Sequence, residues 1–434
     1  MNASRTMEAP PPRLVGWRGA VAYLHRERGH SEILSGSVVM LVGTVVVSAF
    51  NFGYTVAIAR MLGPAAFGHA SAVVTLLMLC SAITLAFQLV CAKFVARNET
   101  PGARAALVRS MMKRAWLVGI ALAAALALGS TGVASYLRLP SAWIVLLLAA
   151  GLAFYVPLGV RRGAMQGACD FRRLAGNLVL EVVVKFSAAL VLVGIGYGVM
   201  GAVGALSASV VAAYFLPTLG HGFRGRSQAC IPASFGEGMQ AIVFFIGQVL
   251  INNVDILLVK HYFPPDRAGL YAAVALVGRV LYFASWSVVS AMFPISASAK
   301  PKEHNSNLLV VPLLLVVLLS VSFILLLTFM PGPIVRFVFG SGFREAEPLL
   351  SLYAAATGLY SLCVVLMAYE MSRRIANTGW MQLFFSVGII GGISIFHATL
   401  REVVIVQIVL MVILLVAVSI PFFRIRSETA QEAA

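Results

Sequence analysis

The chain has 434 residues, of which 60% are hydrophobic and only 11% charged, and its mean hydropathy is +0.93. These values exclude an ordinary soluble globular protein, in which about 25% of residues are charged. The net charge of +16 comes from 32 Lys and Arg against 16 acidic residues. The basic residues lie between long apolar runs, which indicates membrane topology and not a nucleic-acid partner. We therefore expect an all-α polytopic membrane protein.

The first half of the chain contains six apolar runs, each about 20 residues long, which is the length that crosses a hydrocarbon core. Residues 1–33 precede them as a basic tail, which fits a helix lying on an anionic membrane surface and a disordered segment equally well. All the spans are predicted to be helical, because an open sheet would leave backbone groups unpaired in lipid. The runs define a first six-helix lobe over residues 34–220, with spans at 34–59, 67–92, 115–136, 142–158, 174–195 and 199–219.

The second half repeats this plan. A linker over residues 221–238 is followed by a second six-helix lobe over residues 239–424 and a short tail over residues 425–434. The chain is thus predicted to have about twelve transmembrane helices. The last six spans are predicted at residues 239–259, 270–294, 308–329, 349–368, 380–396 and 403–423.

Two helical hairpins about 200 residues apart have similar sequences, one in each lobe. The matched positions share one offset and are Pro64 with Pro265, Gly68 with Gly269, and Ala72-Val73 with Ala273-Val274. Arg60 aligns with Lys260 after a slip of one residue, and we take these two residues as candidates for an outer gate. Such a repeat predicts two pseudo-symmetric lobes around a central cavity.

The distribution of basic residues predicts the orientation. With the N-terminus placed in the cytoplasm, the inner segments hold 23 Lys and Arg and the outer turns hold 7. This bias predicts a bacterial plasma-membrane protein with both termini in the cytoplasm. One inner segment is basic at both ends, and it either contacts anionic lipid headgroups as a loading loop or only sets the topology. Its basic residues are Arg161, Arg162, Arg172 and Arg173.

Several kinds of chemistry lack their sequence signals. The sequence has no phosphate-binding loop of the GxxxxGK[ST] type, which argues against ATP hydrolysis by the chain itself. Its five cysteines form no CxxC pair and its seven histidines show no ligand spacing, so we expect neither a disulfide nor a metal site. The acidic residues of the outer turns show no pairing suited to general acid–base work. We therefore expect no enzymatic activity and no cofactor other than a coupling H⁺ or Na⁺.

Two basic residues fall inside predicted spans, where a charge normally faces a cavity or a partner. Arg279 has no acidic residue one turn away on its own helix, and its fork suits phosphate oxygens. We take Arg279 and Lys185 as candidate substrate-binding cations of the cavity. An ion pair between Arg279 and Asp255 is the structural alternative.

Acidic and amide residues in the spans are candidates for coupling to an ion. Glu181 lies four residues before Lys185, so the two could form an ion pair that has no transport role. Asp255 lies beside Asn252 and Asn253, and a buried carboxylate among amides could bind Na⁺ or exchange a proton. A hydrogen-bond network between helices would explain these three residues equally well.

The sequence resembles the polysaccharide transporters of the multidrug/oligosaccharidyl-lipid/polysaccharide flippase superfamily over about residues 34–423. The matching motifs are Ala59-Arg60-Met-Leu62-Gly63-Pro64-x-x-Phe67-Gly68, Arg162-Gly163-x-x-Gln166-Gly167-x-x-x-Phe171, Asn253-x-Asp255-x-Leu257-Leu258-Val259, Ala268-Gly269-x-Tyr271-x-Ala273 and Met292-x-Pro294. The resemblance implies two six-helix lobes that enclose a cationic cavity and alternate between inward-open and outward-open states.

The resemblance also implies a function, which is the outward movement of a polyprenyl-diphosphate oligosaccharide for O-antigen, exopolysaccharide or capsule synthesis. The implied partners are membrane lipids, the lipid-linked substrate, and the polymerase and glycosyltransferases of the same pathway. A multidrug or cation antiporter of the same superfamily is one alternative. A scaffold that assembles glycan enzymes without transporting anything is the other.

Overall fold

The computed structural model describes residues 16–216, 230–232, 235–298, 307–373 and 378–432. Thirteen α-helices account for most of these residues, and no strand occurs in the described ranges. The helices are α1 (Gly16–Arg97), α2 (Pro101–Leu128), α3 (Ser130–Tyr136), α4 (Trp143–Gly167), α5 (Phe171–Leu192), α6 (Gly198–Phe215), α7 (Phe235–Tyr262), α8 (Pro265–Ser298), α9 (Asn307–Phe329), α10 (Pro331–Val338), α11 (Glu347–Arg373), α12 (Thr378–Ile395) and α13 (Leu400–Glu432).

Eight described stretches are long and apolar enough to cross a membrane. Two of them, Val39–Arg97 with 59 residues and Phe171–Phe215 with 45, each have the length for two crossings. Helices α7 and α12 cover the predicted seventh and eleventh spans, although the apolar stretch described in α12, Trp380–Ile395, is shorter. The all-α fold with about twelve spans is therefore confirmed.

The repeated hairpins turn sharply in both halves. Helix α1 contains two spans that meet at Gly63, whose backbone angles are φ 72° and ψ 175°. Only glycine adopts such angles at little cost, and the Pro64 that follows starts the second span. In the second half, only Phe263 and Pro264 separate α7 from α8. The basic tail is helical from Gly16 and continuous with the first span, while residues 1–15 lie outside the described ranges.

Helices α1–α6 form the first lobe and α7–α13 the second, and the lobes meet through the repeated hairpins. A methyl group on Gly68 would lie 2.6 Å from the Pro265 carbonyl oxygen and 2.8 Å from the Gly269 nitrogen. A methyl group on Gly269 would collide in turn with the Pro64 carbonyl oxygen. Since each contact has its counterpart in the other lobe, a pseudo-two-fold axis passes between the two glycines.

One cluster of buried apolar side chains continues from the first lobe into the second. It joins Tyr54, Ile58 and Phe67 of α1 to residues of α7, α8 and α11. Phe67 also packs edge-on against Phe343, with 5.8 Å between the ring centroids. The lobes are in contact at the end of the molecule that holds the Phe67–Phe343 pair and the crossing of Gly68 and Gly269, and we call it the sealed end. The chain enters its first span and leaves its last span at the opposite end.

Candidate functional site

A polar cavity of about 40 Å³ lies inside the second lobe, between α7, α8, α11, α12 and α13. A cavity of this size has room for a water molecule or a small ion, and its polar walls could bind either. The polar side chains that line it are Asn252, Asp255, Arg279, Tyr282, Tyr353, Thr357, Tyr360 and Gln407. Sequence analysis predicted three of these residues as site residues, and the fold brings them to one chamber.

Asp255 is the only carboxylate among the residues that line this cavity, and it is 2% exposed. Its Oδ2 accepts hydrogen bonds from the hydroxyls of Tyr271 at 2.8 Å and Tyr353 at 3.0 Å. The amide of Gln407 donates to the Tyr271 hydroxyl at 2.8 Å, so three helices hold this oxygen in place. The other oxygen, Oδ1, is buried without a hydrogen-bond partner in the described structure. A half-satisfied buried carboxylate is costly, and a proton or a small cation on Oδ1 would lower that cost.

Arg279 bridges the two lobes. Its Nη2 donates to Asn253 Oδ1 at 2.6 Å, and its Nη1 lies 3.7 Å from the Met78 sulfur of the first lobe. Both partners are neutral, and no ion pair joins Arg279 to Asp255 among the described residues. The guanidinium therefore lies at the interface between the lobes without an ion pair among the described residues, and the alternative of an Arg279–Asp255 pair is not found.

Aromatic rings continue the Arg279 face of α8. Tyr282, Phe283 and Trp286 follow at spacings of three, four and seven residues, which places them on the same side of the helix. The Tyr282 ring lies nearly parallel to the rings of Tyr360 and Trp286, with centroids 5.8 and 6.2 Å away. Phe283 is 62% exposed and Trp286 40% exposed. We call the four rings of Tyr282, Phe283, Trp286 and Tyr360 the aromatic shelf.

Amide groups hold the shelf on its α7 side. The Gln248 amide donates to the Tyr282 hydroxyl at 2.6 Å, and the Asn252 amide donates to the Tyr360 hydroxyl at 3.3 Å. Asn252 therefore contributes to ring positioning as well as to the cavity wall. Sequence analysis did not predict the shelf, although aromatic residues spaced by three, four and seven after an intramembrane arginine were a usable signal.

Lys185 is buried inside the first lobe. Its ammonium group donates to Asn51 Oδ1 and lies 4.9 Å from the centroid of the Tyr54 ring. A neutral amide and an aromatic face thus surround this cation. Lys185 and Arg279 belong to different lobes, and the described contacts do not bring them together.

Glu181 forms its ion pair with Arg162 and not with Lys185. Arg162 Nη2 donates to Glu181 Oε2, and Arg162 Nε donates to Asn177 Oδ1 at 2.8 Å. The Asn177 amide continues the network to the carbonyl oxygens of Ala213 at 2.6 Å and Leu216 at 2.9 Å. The alternative of a Glu181–Lys185 ion pair within α5 is therefore not found, since Arg162 on α4 pairs with the carboxylate.

The predicted inner loading loop is mostly helical. Helices α4 and α5 extend toward each other until residues 168–170 form the whole connection. Arg162 consequently lies buried in α4, and Arg161 donates to the Tyr214 carbonyl oxygen and covers the Tyr214 ring at 5.0 Å. Arg172 is exposed, and Arg173 pairs with Asp170 at 3.3 Å. Of the four residues predicted to form the loading loop, only Arg172 and Arg173 lie at the surface, where they could contact lipid headgroups.

The sealed end carries two reciprocal contacts between the lobes, each to the end of a short helix. Arg60 Nε donates to the Val338 carbonyl oxygen at 2.9 Å, and its Nη2 donates to that of Phe337, at the end of α10. His261 Nδ1 lies 2.8 Å from the Tyr136 carbonyl oxygen, at the end of α3. The offset that relates Pro64 to Pro265 also relates Arg60 to His261. The slipped alignment of Arg60 with Lys260 is therefore corrected.

Lys260 occupies the core of the sealed end. Its side chain is 0% exposed, and its ammonium group has no hydrogen-bond partner in the described structure. The positive charge of Arg138 acts on it from the first lobe. Both outer-gate candidates thus lie at the sealed end. Arg60 forms hydrogen bonds between the lobes, and Lys260 is a buried cation.

Residues 57–348, about two thirds of the chain, match the family described as polysaccharide biosynthesis protein. A comparison with curated proteins finds no significant match. Among solved structures, the chain is similar to an inward-facing multidrug resistance MATE family transporter of the MOP superfamily, with 13% identity, coverage of 92% of this chain and 99% of that chain, and a TM-score of 0.71.

Two further structures have the same fold. The lipid II flippase MurJ in an inward closed conformation is 12% identical over 88% of this chain and 87% of that chain, with a TM-score of 0.71. An outward-facing MATE family transporter is 14% identical over 93% and 97%, with a TM-score of 0.60. At these identities the likeness shows the fold alone. From its sequence match, the chain belongs to the polysaccharide biosynthesis protein family, and it has the fold of these transporters of known structure.

Proposed function

We propose that the protein is a flippase that moves a polyprenyl-diphosphate-linked oligosaccharide from the inner to the outer leaflet for surface polysaccharide synthesis. Membership of the polysaccharide biosynthesis family supports the glycan pathway. The observation that carries the proposal is Arg279, a cation at the lobe interface whose hydrogen-bond partners are neutral. A transported diphosphate would supply an anionic hydrogen-bond partner, which Arg279 does not have among the described contacts.

The residues beside Arg279 suit the other part of such a substrate. The aromatic shelf offers exposed ring faces on which the apolar face of a sugar ring can stack. The enclosed cavity of about 40 Å³ is too small for a sugar, so the oligosaccharide would lie on the shelf and in the space between the lobes. The lipid tail would stay in the bilayer while the polar head crosses.

The contacts at the sealed end support alternating access. With the termini in the cytoplasm, the sealed end faces outward and the described lobe contacts correspond to a state closed to the outside. Opening requires that Arg60 and His261 leave the ends of the two short helices. The implied setting is a bacterial plasma membrane, next to the polymerase and glycosyltransferases that produce and use the lipid-linked glycan.

Substitution of Arg279 tests this function. In proteoliposomes that contain a polyprenyl diphosphate bearing a fluorescent disaccharide, we expect Arg279→Ala to slow flipping about 10- to 100-fold, the range for losing a charge-assisted hydrogen bond. Arg279→Lys should retain an intermediate rate, because it keeps the charge but loses the fork. Arg401→Ala, at an exposed arginine that begins α13, is the control. Full flipping by Arg279→Ala at normal protein levels would remove Arg279 from the mechanism, and a lack of flipping by the unchanged protein would contradict the flippase function.

We propose that Asp255 couples transport to H⁺ or Na⁺ through its free Oδ1, with Asn252 and Asn253 as neighbours. Asp255→Asn removes the charge and keeps the size, so flipping should no longer respond to an imposed H⁺ or Na⁺ gradient while equilibration without a gradient continues. Asp266→Asn, at an exposed carboxylate that begins α8, should leave the response intact. An unchanged gradient response in Asp255→Asn would reject this role, and Glu181 would then be the next candidate.

Transport of a multidrug or cationic compound is the competing function, because the MATE family transporters share the fold. In that case Asp255 would bind the cation and Arg279 would be dispensable. Uptake of a fluorescent organic cation by the same proteoliposomes separates the two functions. An antiporter would move the dye in the Arg279→Ala protein, whereas a flippase would not move it at all.

A further inference from the structure

A second cavity lies at the seam between the lobes and has apolar walls. Its volume is about 330 Å³, which is in the range of small-molecule pockets. Leu76 of α1 and four residues of the α3 region form one side, and Leu257 of α7 forms the other. The residues from the α3 region are Gly132, Val133, Tyr136 and Leu137. We call this cavity the seam crevice.

One edge of the seam crevice is polar and positively charged. The Tyr136 ring stacks on the His261 ring, with 3.9 Å between centroids and an angle of 11°. On α7, His261 lies one turn beyond Leu257, so the apolar wall and the polar edge adjoin on one helix face. Arg138 is exposed directly after the crevice-lining Leu137. Lys260, buried and without a partner, adds a second positive charge behind it.

The backbone at this edge turns sharply where α3 ends. Arg138 adopts φ 47°, in the left-handed region that side chains other than glycine rarely occupy. This conformation caps the end of α3, because the Arg138 N–H donates to the Ser135 carbonyl oxygen at 3.1 Å and the Leu139 N–H donates to that of Ala134 at 2.8 Å. The turn therefore places the charged residue Arg138 one position after Leu137, which lines a largely apolar crevice. An anionic group attached to an apolar chain matches both features.

We propose that the seam crevice binds the isoprenoid chain of a polyprenyl phosphate, whose phosphate is held at the edge by Arg138 with the charge of Lys260 behind it. The choice of this lipid rests on the flippase function proposed above. The isoprenoid chain already lies in the apolar interior of the bilayer, so its binding to the crevice removes apolar surface from a polar environment only near the edge. The phosphate contacts therefore supply much of the selectivity. The two walls belong to different lobes, and the site therefore exists while the sealed end is closed.

This geometry gives the bound lipid an effect on the transport cycle. A ligand that binds one state better than another shifts the population toward that state. Because Leu76 and Leu257 separate when the lobes part, a polyprenyl phosphate in the crevice would favour the closed sealed end. The fraction of molecules with a closed sealed end would thus rise with the amount of free polyprenyl phosphate in the membrane.

Native mass spectrometry of the purified full chain tests the proposal with two probes, a C55 polyprenyl phosphate and phosphatidylglycerol. A leucine at Gly132 would fill the crevice, because open space surrounds that position. We expect Gly132→Leu to weaken polyprenyl phosphate binding at least about tenfold and Arg138→Gln to weaken it about fivefold or more. Gly391→Leu, at an exposed glycine of α12 that also faces open space, should bind like the unchanged protein.

Two outcomes would overturn the proposal. If phosphatidylglycerol binds as tightly and shows the same sensitivity to Gly132→Leu, the occupant is an ordinary phospholipid. If neither probe responds to Gly132→Leu, the crevice is not a site. Arg279→Ala separates this test from that of the flippase function, because it should keep polyprenyl phosphate binding while losing flipping. Normal flipping in Arg279→Ala would remove Arg279 from the mechanism and leave the site in place. Polyprenyl phosphate binding by an unchanged protein that flips no lipid-linked saccharide would contradict the flippase function and not the site.

Discussion

At the scale of single residues, the protein treats its buried cations in two ways. Arg162 has a charged partner, Glu181, and a neutral one, Asn177. Lys185 and Arg279 instead have only neutral hydrogen-bond partners among the described residues. A buried ion pair resists rearrangement, whereas a cation bound to amides can exchange them for an anionic ligand. This difference separates a structural network in the first lobe from the candidate substrate site.

The Arg162–Glu181 pair should therefore contribute to stability. Its side chains are 8% and 15% exposed, so Arg162→Ala would leave a buried carboxylate without its cation, at a cost of about 3–5 kcal/mol. Arg173→Ala breaks a pair whose side chains are 40% and 35% exposed, and its cost should stay below about 1 kcal/mol. Thermal unfolding in detergent, followed by tryptophan fluorescence, measures both. Equal losses of Tm would contradict a structural role for the buried pair.

At the scale of helices, the close crossing of two hairpins decides whether the sealed end can close. Gly68 and Gly269 let α1 and α8 approach until backbone touches backbone. Side chains from both lobes then reach the ends of the short helices α3 and α10, which would otherwise leave carbonyl oxygens without partners. Gly68 and Gly269 set the distance between the two lobes, and the contacts of Arg60 and His261 stabilise the lobes at that distance.

Gly269→Ala should therefore favour an open sealed end, because its methyl group has no space beside Pro64. Spin labels at Ser135 and Ser341, exposed positions at the sealed end of the two lobes, report the separation. We expect a longer-distance population in Gly269→Ala and a flipping rate reduced about tenfold, the effect of a barrier change of about 1.4 kcal/mol. Gly391→Ala is the matched glycine control. Identical distance distributions in the two variants would show that the crossing tolerates a methyl group.

At the scale of the whole molecule, the direction of transport depends on which way the sealed end faces. The ratio of basic residues predicts that the termini are cytoplasmic, and Cys169 is an exposed native probe in the short turn between α4 and α5. In intact cells, a membrane-impermeant maleimide should label a cysteine placed at Ser341 in a Cys169→Ser background. Cys169 itself should react only after the cells are permeabilised. The reverse pattern would invert the proposed direction of transport.

The sequence predicted the lobes and their repeat because these depend on local apolar runs and on a fixed offset between prolines and glycines. It did not predict that Glu181 pairs with Arg162, since periodicity along α5 favours Lys185 and cannot show which residue of α4 lies opposite. The helical character of the 161–173 segment was missed because its basic residues resemble those of a loop. Arg279 was predicted from its charge alone, but the aromatic shelf beside it depends on α11 packing against α8.

The contact between Arg279 and Met78 limits how much charge the two lobes can place where they meet. These residues are related by the same offset as the paired glycines, so they are equivalent positions that touch near the axis. Arginine at both would bring two guanidinium groups together, with a repulsion of about 4 kcal/mol at 4 Å in a medium of dielectric about 20. Met78→Arg should therefore destabilise the closed contact between the lobes. The uncharged Met78 thioether is compatible with a single positive charge at this point of the axis.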